Sequence, residues 1–190
     1  MQRRRFIQAV TVGLVALSTP KIVDNGLEMI ASVQAEEKAP ISETEFERLM
    51  KYDTVDDILK EYGIGSVDDS SYQRKVYDSG KHVMVVFYNN RSQGSKGLSV
   101  LAGELSEQFG SQFEVLGYKM SESSDQTPVD VFNHVRKTYS FRTTPAILFY
   151  QNKGTNVERN ESIEGGIVSF RLIPKNIKII GNYFKTHFFK

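Results

Sequence analysis

The chain has 190 residues and contains no cysteine. A thiolate is the group that attacks in disulfide formation, reduction and isomerisation, so this chain cannot perform thiol-disulfide exchange. Exported proteins often use disulfides to stabilise a small core, and this chain must rely on its core alone. The absence of cysteine thus excludes one class of activity and one means of stabilisation.

A surplus of charge of either sign is also lacking. Residues 1–35 hold four of the 24 basic and two of the 23 acidic residues, which leaves 20 basic against 21 acidic residues in the remainder. A near-neutral chain gives no reason from composition to expect a nucleic acid, an anionic membrane surface or bulk calcium as a partner. About 155 residues correspond to one domain with a short extension.

Long apolar runs are absent as well. The apolar run at residues 9–17 is shorter than the about 20 residues that span a membrane, and it follows the sequence Arg-Arg-Arg-Phe-Ile at residues 3–7. This pattern predicts an export signal, of either the twin-arginine or the general secretory type. Val-Gln-Ala at residues 33–35 predicts cleavage before Glu36, leaving no membrane span. We therefore expect an exported protein of the periplasm or cell envelope.

The rest of the chain divides into a helical extension at residues 36–65 and a main domain at residues 66–190. Capping patterns at Ser42 and Thr54 predict two short helices in the extension, and Gly63 is placed to end the second. Thirty residues cannot bury a core of their own, which favours a segment that packs on the main domain. Asp53, Asp56 and Asp57 are interpreted as a helix start and not as an ion site.

The main domain alternates strand and helix patterns, which predicts an α/β fold with a central mixed sheet flanked by helices. Ser70 is expected to cap a first helix, and the apolar run at residues 83–88 predicts a central strand covered on both faces. Further strands are expected at residues 113–118 and 146–150, with a hairpin at residues 152–154. Pro174 is expected to open a final helix, whose apolar stripe comprises Ile177, Ile180, Phe184 and Phe188.

The order of these blocks resembles the thioredoxin family over roughly two thirds of the chain. Residues 69–72 and 81–88 resemble the family's first helix and central strand, residues 139–146 its cis-proline segment, and residues 165–166 the glycine after its last strand. The resemblance implies a thioredoxin-like fold. Its redox tetrad falls on four residues of this chain: Ser92, Gln93, Gly94 and Ser95.

The resemblance also defines what has changed. Serines occupy the positions of both cysteines of the family's tetrad, and Arg91 occupies the position of the aromatic residue before it. Val86 takes the place of the family's buried carboxylate in the central strand, and Val100 that of the proline that kinks the following helix. The family's cis-proline is matched by Pro145. The edge beside the cis-proline binds extended peptides in the family, so the resemblance implies a peptide-contact surface that has no reactive thiol. Its candidate residues are Arg91, Gly94, Thr144, Pro145 and Gly165.

Catalysis and metal binding receive less support from the residues. Ser92 would lie at a helix N-terminus, but a serine nucleophile needs a base, and no histidine precedes or follows it closely. The chain's histidines show no paired spacing and there are no thiolates, so we expect no metal and no cofactor. Asn90, Arg91 and Ser92 match an N-glycosylation triplet, a pattern that occurs often by chance.

The sequence thus predicts a redox-inactive, exported protein that binds a protein or an extended peptide. It would act as an assembly factor, a chaperone-like accessory or a complex subunit. An enzyme or small-ligand carrier that uses the groove near Ser92 and Pro145 is the alternative. A purely structural subunit held by the extension is a third possibility, and the sequence leaves the partner and the oligomeric state open.

Overall fold

The computed structural model of the protein describes residues 41–123, 127–153, 157–167 and 169–187. The predicted signal peptide and its cleavage site lie outside these residues, as do Gly154 of the predicted hairpin and Phe188 of the last helix. None of the helices in the described ranges is both long and apolar enough to cross a membrane.

A five-stranded mixed sheet forms the centre of the fold. The first three strands are parallel, and the fourth and fifth form an antiparallel hairpin that pairs with the second, giving the order β1-β3-β2-β4-β5. The strands are β1 (Gly65–Val67), β2 (His82–Asn89), β3 (Phe113–Ser121), β4 (Ala146–Asn152) and β5 (Val157–Glu164). This confirms the predicted α/β fold with a central mixed sheet.

Helices cover both faces of the sheet. They are α1 (Glu43–Met50), α2 (Val55–Glu61), α3 (Asp69–Tyr72), which continues as a π-helical stretch over Gln73–Tyr77, α4 (Gln93–Phe109), α5 (Val129–Tyr139) and α6 (Leu172–His187). Met84 and Val86 of β2 belong to the core formed with α1, α2, α4 and α6. Val83, Val85 and Phe87 alternate with them and belong to the core formed with α3 and α5. This alternation confirms the prediction of a central strand buried on both faces.

The two predicted helices before the sheet are present and share its core. Ser42 caps α1 by accepting from the Glu45 amide, and Thr54 caps α2 in the same way from the Asp57 amide. Phe46 and Leu49 of α1 are buried in the cluster that also contains the apolar face of α4. Gly63, with φ of +68°, follows the end of α2.

Two local expectations were wrong, and one strand was not predicted. The first helix of the main domain is capped by Asp68 and not by Ser70: Asp68 and Ser71 form the reciprocal capping box. Hydrogen bonds from Ser71 and Ser70 hold the pKa of the Asp68 carboxyl down to about 2. The last helix begins at Leu172, so Pro174 lies within its first turn, where the missing amide is tolerated. Strand β1 was not predicted, because three residues that include glycine and serine give no β-branched run.

Candidate functional site

The tetrad lies at the junction between the central strand and α4. Ser92 is extended, with φ of −72° and ψ of 130°, and its Oγ accepts a hydrogen bond from the Ser95 amide at 3.4 Å. Helix α4 then runs for 17 residues without a break, as expected from the absence of a proline at Val100. The hydroxyl of Ser92 therefore acts as the N-cap of this helix.

Ser95 has a structural role that the sequence did not suggest. It is fully buried, and its Oγ accepts a hydrogen bond from the amide of Asn89, the last residue of β2, at 3.2 Å. This contact ties the first turn of α4 to the end of the central strand. Both serine hydroxyls of the tetrad thus satisfy backbone amides of the surrounding frame.

The segment containing Pro145 forms the other side of the site. The Thr144–Pro145 peptide bond is cis, and the Pro145 carbonyl accepts from the Gly165 amide at 2.8 Å. One carboxylate oxygen of Glu164 accepts from the amides of Arg142 and Thr143 at 2.9 Å and 3.1 Å. Glu164 therefore holds the loop that leads into Pro145, a role that no local sequence pattern indicated.

The loop after β5 rests directly on the first turn of α4. The Ile167 amide donates to the Gly94 carbonyl at 3.2 Å. A Cβ added to Gly94 would lie 2.8 Å from the Gly166 Cα, and one added to Gly166 would lie 2.6 Å from the Gly94 Cα. Only glycine at both positions allows so close an approach of two backbones.

Three of the predicted contact residues, Gly94, Pro145 and Gly165, are therefore brought together. Arg91 lies on the opposite flank of the α4 N-terminus, where its amide donates to the Ser123 carbonyl at 3.3 Å. Its side chain is exposed, and no contact between Arg91 and Thr144 is found in the described part of the chain. A partner would have to cross the α4 N-terminus to reach both.

Asn90 is the main positioning residue that sequence analysis missed. It is buried, and its amide group donates to Asp56 Oδ2 at 2.9 Å and to Glu122 Oε2 at 2.6 Å. Its backbone carbonyl accepts from the Val55 amide at 2.7 Å. Asn90 thereby fastens the start of α2 to the loop that carries the tetrad. Its burial also argues against the glycosylation triplet, since a glycosylated asparagine must be accessible.

Asp56 is the charged centre of this attachment. Its carboxylate also accepts from the Tyr88 hydroxyl at 2.6 Å and from Lys119 Nζ at 2.9 Å. Partial burial opposes ionisation, but the hydrogen bonds from Tyr88, Lys119 and Asn90 outweigh it and lower the pKa of Asp56. The helix start predicted around Asp56 is correct, and the same residue also bonds to the tetrad loop.

Two histidines whose side chains are described lie apart from Ser92. His82 begins β2, at the far end of the strand from the tetrad, and its Nδ1 accepts from the Asn152 amide at 3.1 Å. His134 on α5 pairs with Asp69 at 3.0 Å. No hydrogen bond to a base reaches Ser92 Oγ in the described ranges, so the geometry provides no activated serine.

A cavity at the start of β2 is also remote from the tetrad. It measures about 630 Å³ and is lined by Gly80, His82 and Gln112 among others, at the opposite end of β2. Across the residues that the structure describes, no group of three acidic or histidine side chains is placed to hold a metal ion. The tetrad region itself is a backbone-lined edge.

The strand order, the cis bond before β4 and the hairpin that follows together define the architecture. The fold is thioredoxin-like. Solved structures similar to this chain include the thioredoxin of Trichomonas vaginalis, with 13% identity, a TM-score of 0.43 and coverage of 62% of this chain and 96% of that one. The germline-specific thioredoxin Deadhead of Drosophila melanogaster has 17% identity, a TM-score of 0.43 and the same two coverages. Chloroplastic thioredoxin z has 13% identity and a TM-score of 0.43, over 63% of this chain and 92% of that one.

No protein-family model and no curated protein matches the chain. At such identities and TM-scores the structural likenesses carry no argument about function.

Proposed function

We propose that this protein is exported and binds an extended segment of a protein partner, without catalysis, along the edge formed by Thr144, Gly165 and the N-terminus of α4. It would act in the periplasm or cell envelope as an assembly factor, a chaperone-like accessory or a complex subunit. The absence of cysteine excludes thiol-disulfide exchange at this edge.

The backbone of Thr144 is the observation on which the proposal rests. Thr144 is half-exposed, and in the described chain neither its amide nor its carbonyl has a hydrogen-bond partner. The backbones on either side are already hydrogen-bonded: the Gly165 amide donates to the Pro145 carbonyl, and the Ile167 amide donates to the Gly94 carbonyl. An unpaired donor and acceptor on a fixed edge can pair with one residue of an extended peptide, as in β-strand addition.

The glycines beside Thr144 leave room for such a peptide. A Cβ built on Gly165 would meet no atom within 4 Å, so the space above this residue is open. Gly165 has φ of +100°, a conformation that favours glycine, and Gly166 is exposed. No large side chain therefore blocks the approach of a second backbone.

Site-specific crosslinking tests the location. A photo-reactive amino acid would replace Gln93, an exposed tetrad residue, and in a matched control would replace Gln112, an exposed residue beyond the far end of α4. We expect one partner to be captured from envelope extract at position 93 and not at position 112. Equal capture at both positions would contradict the proposed edge.

Peptides from the captured partner then test the mode of binding. We expect one peptide to bind, and N-methylation of the single backbone amide that faces Thr144 to weaken it about tenfold, because one hydrogen bond to a fixed edge is lost. N-methylation at the residues on either side, which face away in an extended strand, provides the control. If no position is sensitive, the partner does not add as a strand.

Export is tested separately. Replacing Arg3 and Arg4 by lysine should keep the protein inside the cell if the signal is of the twin-arginine type, and should have no effect if it uses general secretion. Mass spectrometry of the exported form should give Glu36 as its first residue. Finding the protein in the cytoplasm of wild-type cells with residues 1–35 still attached would refute the proposed location.

A further inference from the structure

The last helix exposes a basic face with apolar residues in it. We define the basic face of α6 as Arg171, just before the helix, with Leu172, Lys175, Lys178 and Ile179. Leu172 and Ile179 are 43% and 56% exposed, and they are two of the four large apolar side chains exposed among the described residues. No ion pair joins the three basic residues to any group in the described chain.

No acidic residue follows Glu164 in the sequence, so α6 itself carries no counter-charge. The opposite surface of α6 is buried through Ile173, Ile177, Ile180 and Phe184. The basic face is therefore the solvent side of a firmly packed helix.

A complementary surface lies beside it on the same protein. An acidic groove of about 460 Å³ runs between α1 and the residues just before α6. Phe46, Met50 and Phe170 form its apolar part. Glu43, Glu47 and Lys51 are exposed on its rim, so its net charge is negative. Neither glutamate has an ion pair in the described ranges.

The two surfaces are neighbours on one side of the sheet. The Phe46 and Phe170 rings are 5.9 Å apart, so the groove adjoins the start of α6. Ile179 lies seven residues beyond Leu172, which corresponds to about 10 Å along a helix. A two-fold axis between the groove and Ile179 would place the Ile179 of each copy in the groove of the other.

We propose that the protein forms a two-fold symmetric dimer in which the basic face of α6 docks into the acidic groove of a second copy. Each copy supplies both halves of the contact, so two equivalent contacts form at once. In each, Ile179 meets Phe46, Met50 and Phe170, while Lys175 and Lys178 approach Glu43 and Glu47. This assembly is independent of the peptide edge proposed above, which lies at the tetrad.

Charge reversal tests the contact in full-length protein by sedimentation velocity. The variant carrying Lys175→Glu and Lys178→Glu should dimerise at least about tenfold more weakly, because like charges then face each other. The variant carrying Glu43→Lys and Glu47→Lys should behave in the same way. Raising the salt concentration should weaken the parent dimer, since rim charges are screened.

Mixing the two variants provides the decisive result. In the mixed dimer each contact again joins opposite charges, so an equimolar mixture should recover dimerisation close to that of the parent. Recovery also shows that both variants are folded. Failure of the mixture to recover would overturn the proposal even if each variant alone is monomeric.

A matched control reverses two exposed charges on the other side of the sheet. Arg136→Glu and Lys137→Glu on α5 make the same change in charge and should leave the dimer unchanged. A parent that stays monomeric from micromolar to submillimolar concentration would refute the dimer. If that monomer instead binds phosphatidylserine vesicles through Lys175 and Lys178, the basic face serves a membrane and the proposal is wrong.

Discussion

Replacement of Gly94 by alanine tests the backbone contact that builds the candidate site. The new Cβ would lie 2.8 Å from the Gly166 Cα, whereas two non-bonded carbons are comfortable at about 3.5–4.0 Å. The group in the way is backbone, so no side-chain rotation can relieve the overlap. The loop after β5 must therefore move by about 1 Å away from α4.

The expected cost follows from the same geometry. Overpacking typically costs about 1–3 kcal/mol. A shift of the loop also breaks the bond from the Ile167 amide to the Gly94 carbonyl, now 3.2 Å long, which is worth about 1 kcal/mol. Alanine is favoured over glycine in a helix by at most about 1 kcal/mol. We expect a net destabilisation of about 1–3 kcal/mol.

Urea denaturation with Gly65→Ala as the control measures this effect. A Cβ on Gly65 would meet only Leu116 Cδ2, at an ordinary 3.7 Å, and Gly65 has no positive φ. That replacement should be neutral or stabilising by up to about 1 kcal/mol, because it restricts the unfolded chain. A Gly94→Ala variant as stable as the control would refute the close approach of the two loops.

The double variant sharpens the test. Gly166→Ala enters the same contact from the other side, with its Cβ 2.6 Å from the Gly94 Cα. Once one methyl group has separated the loops, the second has less to displace, so the double variant should lose less stability than the sum of the two single losses. Strict additivity would show that the two glycines do not meet.

Two further predictions concern polar contacts of α2 and of the residue that follows it. Hydrogen bonds lower the pKa of Asp56 even though its burial opposes ionisation. The ionised carboxylate therefore stabilises the fold at pH values above 3.8, the ordinary pKa of an aspartate, and this stabilisation is lost as the pH falls through the lowered pKa. In urea titrations, Asp56→Asn should therefore lower the free energy of unfolding at neutral pH and not in acid. Asp53→Asn, at an exposed position, is the control and should show no such pH dependence. An equal loss of stability at every pH in the Asp56→Asn variant would contradict this. Tyr62 donates to Glu104 Oε1 at 2.8 Å, while Glu104 Oε2 is buried without a partner in the described chain, so Tyr62→Phe should cost about 1–3 kcal/mol. Adding Glu104→Met should restore part of that loss, and a double variant less stable than Tyr62→Phe would refute the role of the pair.

Patterns of neighbouring residues predicted much of this fold. The apolar run at residues 83–88 predicted the central strand, and Ser42 and Thr54 were correctly identified as helix caps. These features depend on residues within a few positions of each other. The resemblance also pointed to Pro145, and the Thr144–Pro145 bond is cis, as the resemblance implies.

The contacts that assemble the site could not be predicted in this way. Asn90 meets Asp56 across 34 positions, and Glu164 meets the Arg142 amide across 22. Each is a polar residue whose partner is chosen by the sheet topology and not by spacing. Strand β1 was missed for a different reason. Its residues have a weak intrinsic preference for β-structure, and the strand forms because it pairs with β3.

The same contacts hold the candidate edge in place. Ser92 caps α4 by accepting from the Ser95 amide, Ser95 Oγ accepts from the end of β2, and Gly94 accepts from the loop after β5. Two of these bonds therefore join the tetrad to other parts of the backbone. None of these bonds requires a thiol. An edge fixed in this way pays little conformational entropy when it binds, and the unpaired backbone of Thr144 is the group left to contact a partner. This rigidity supports the binding role proposed above for the edge.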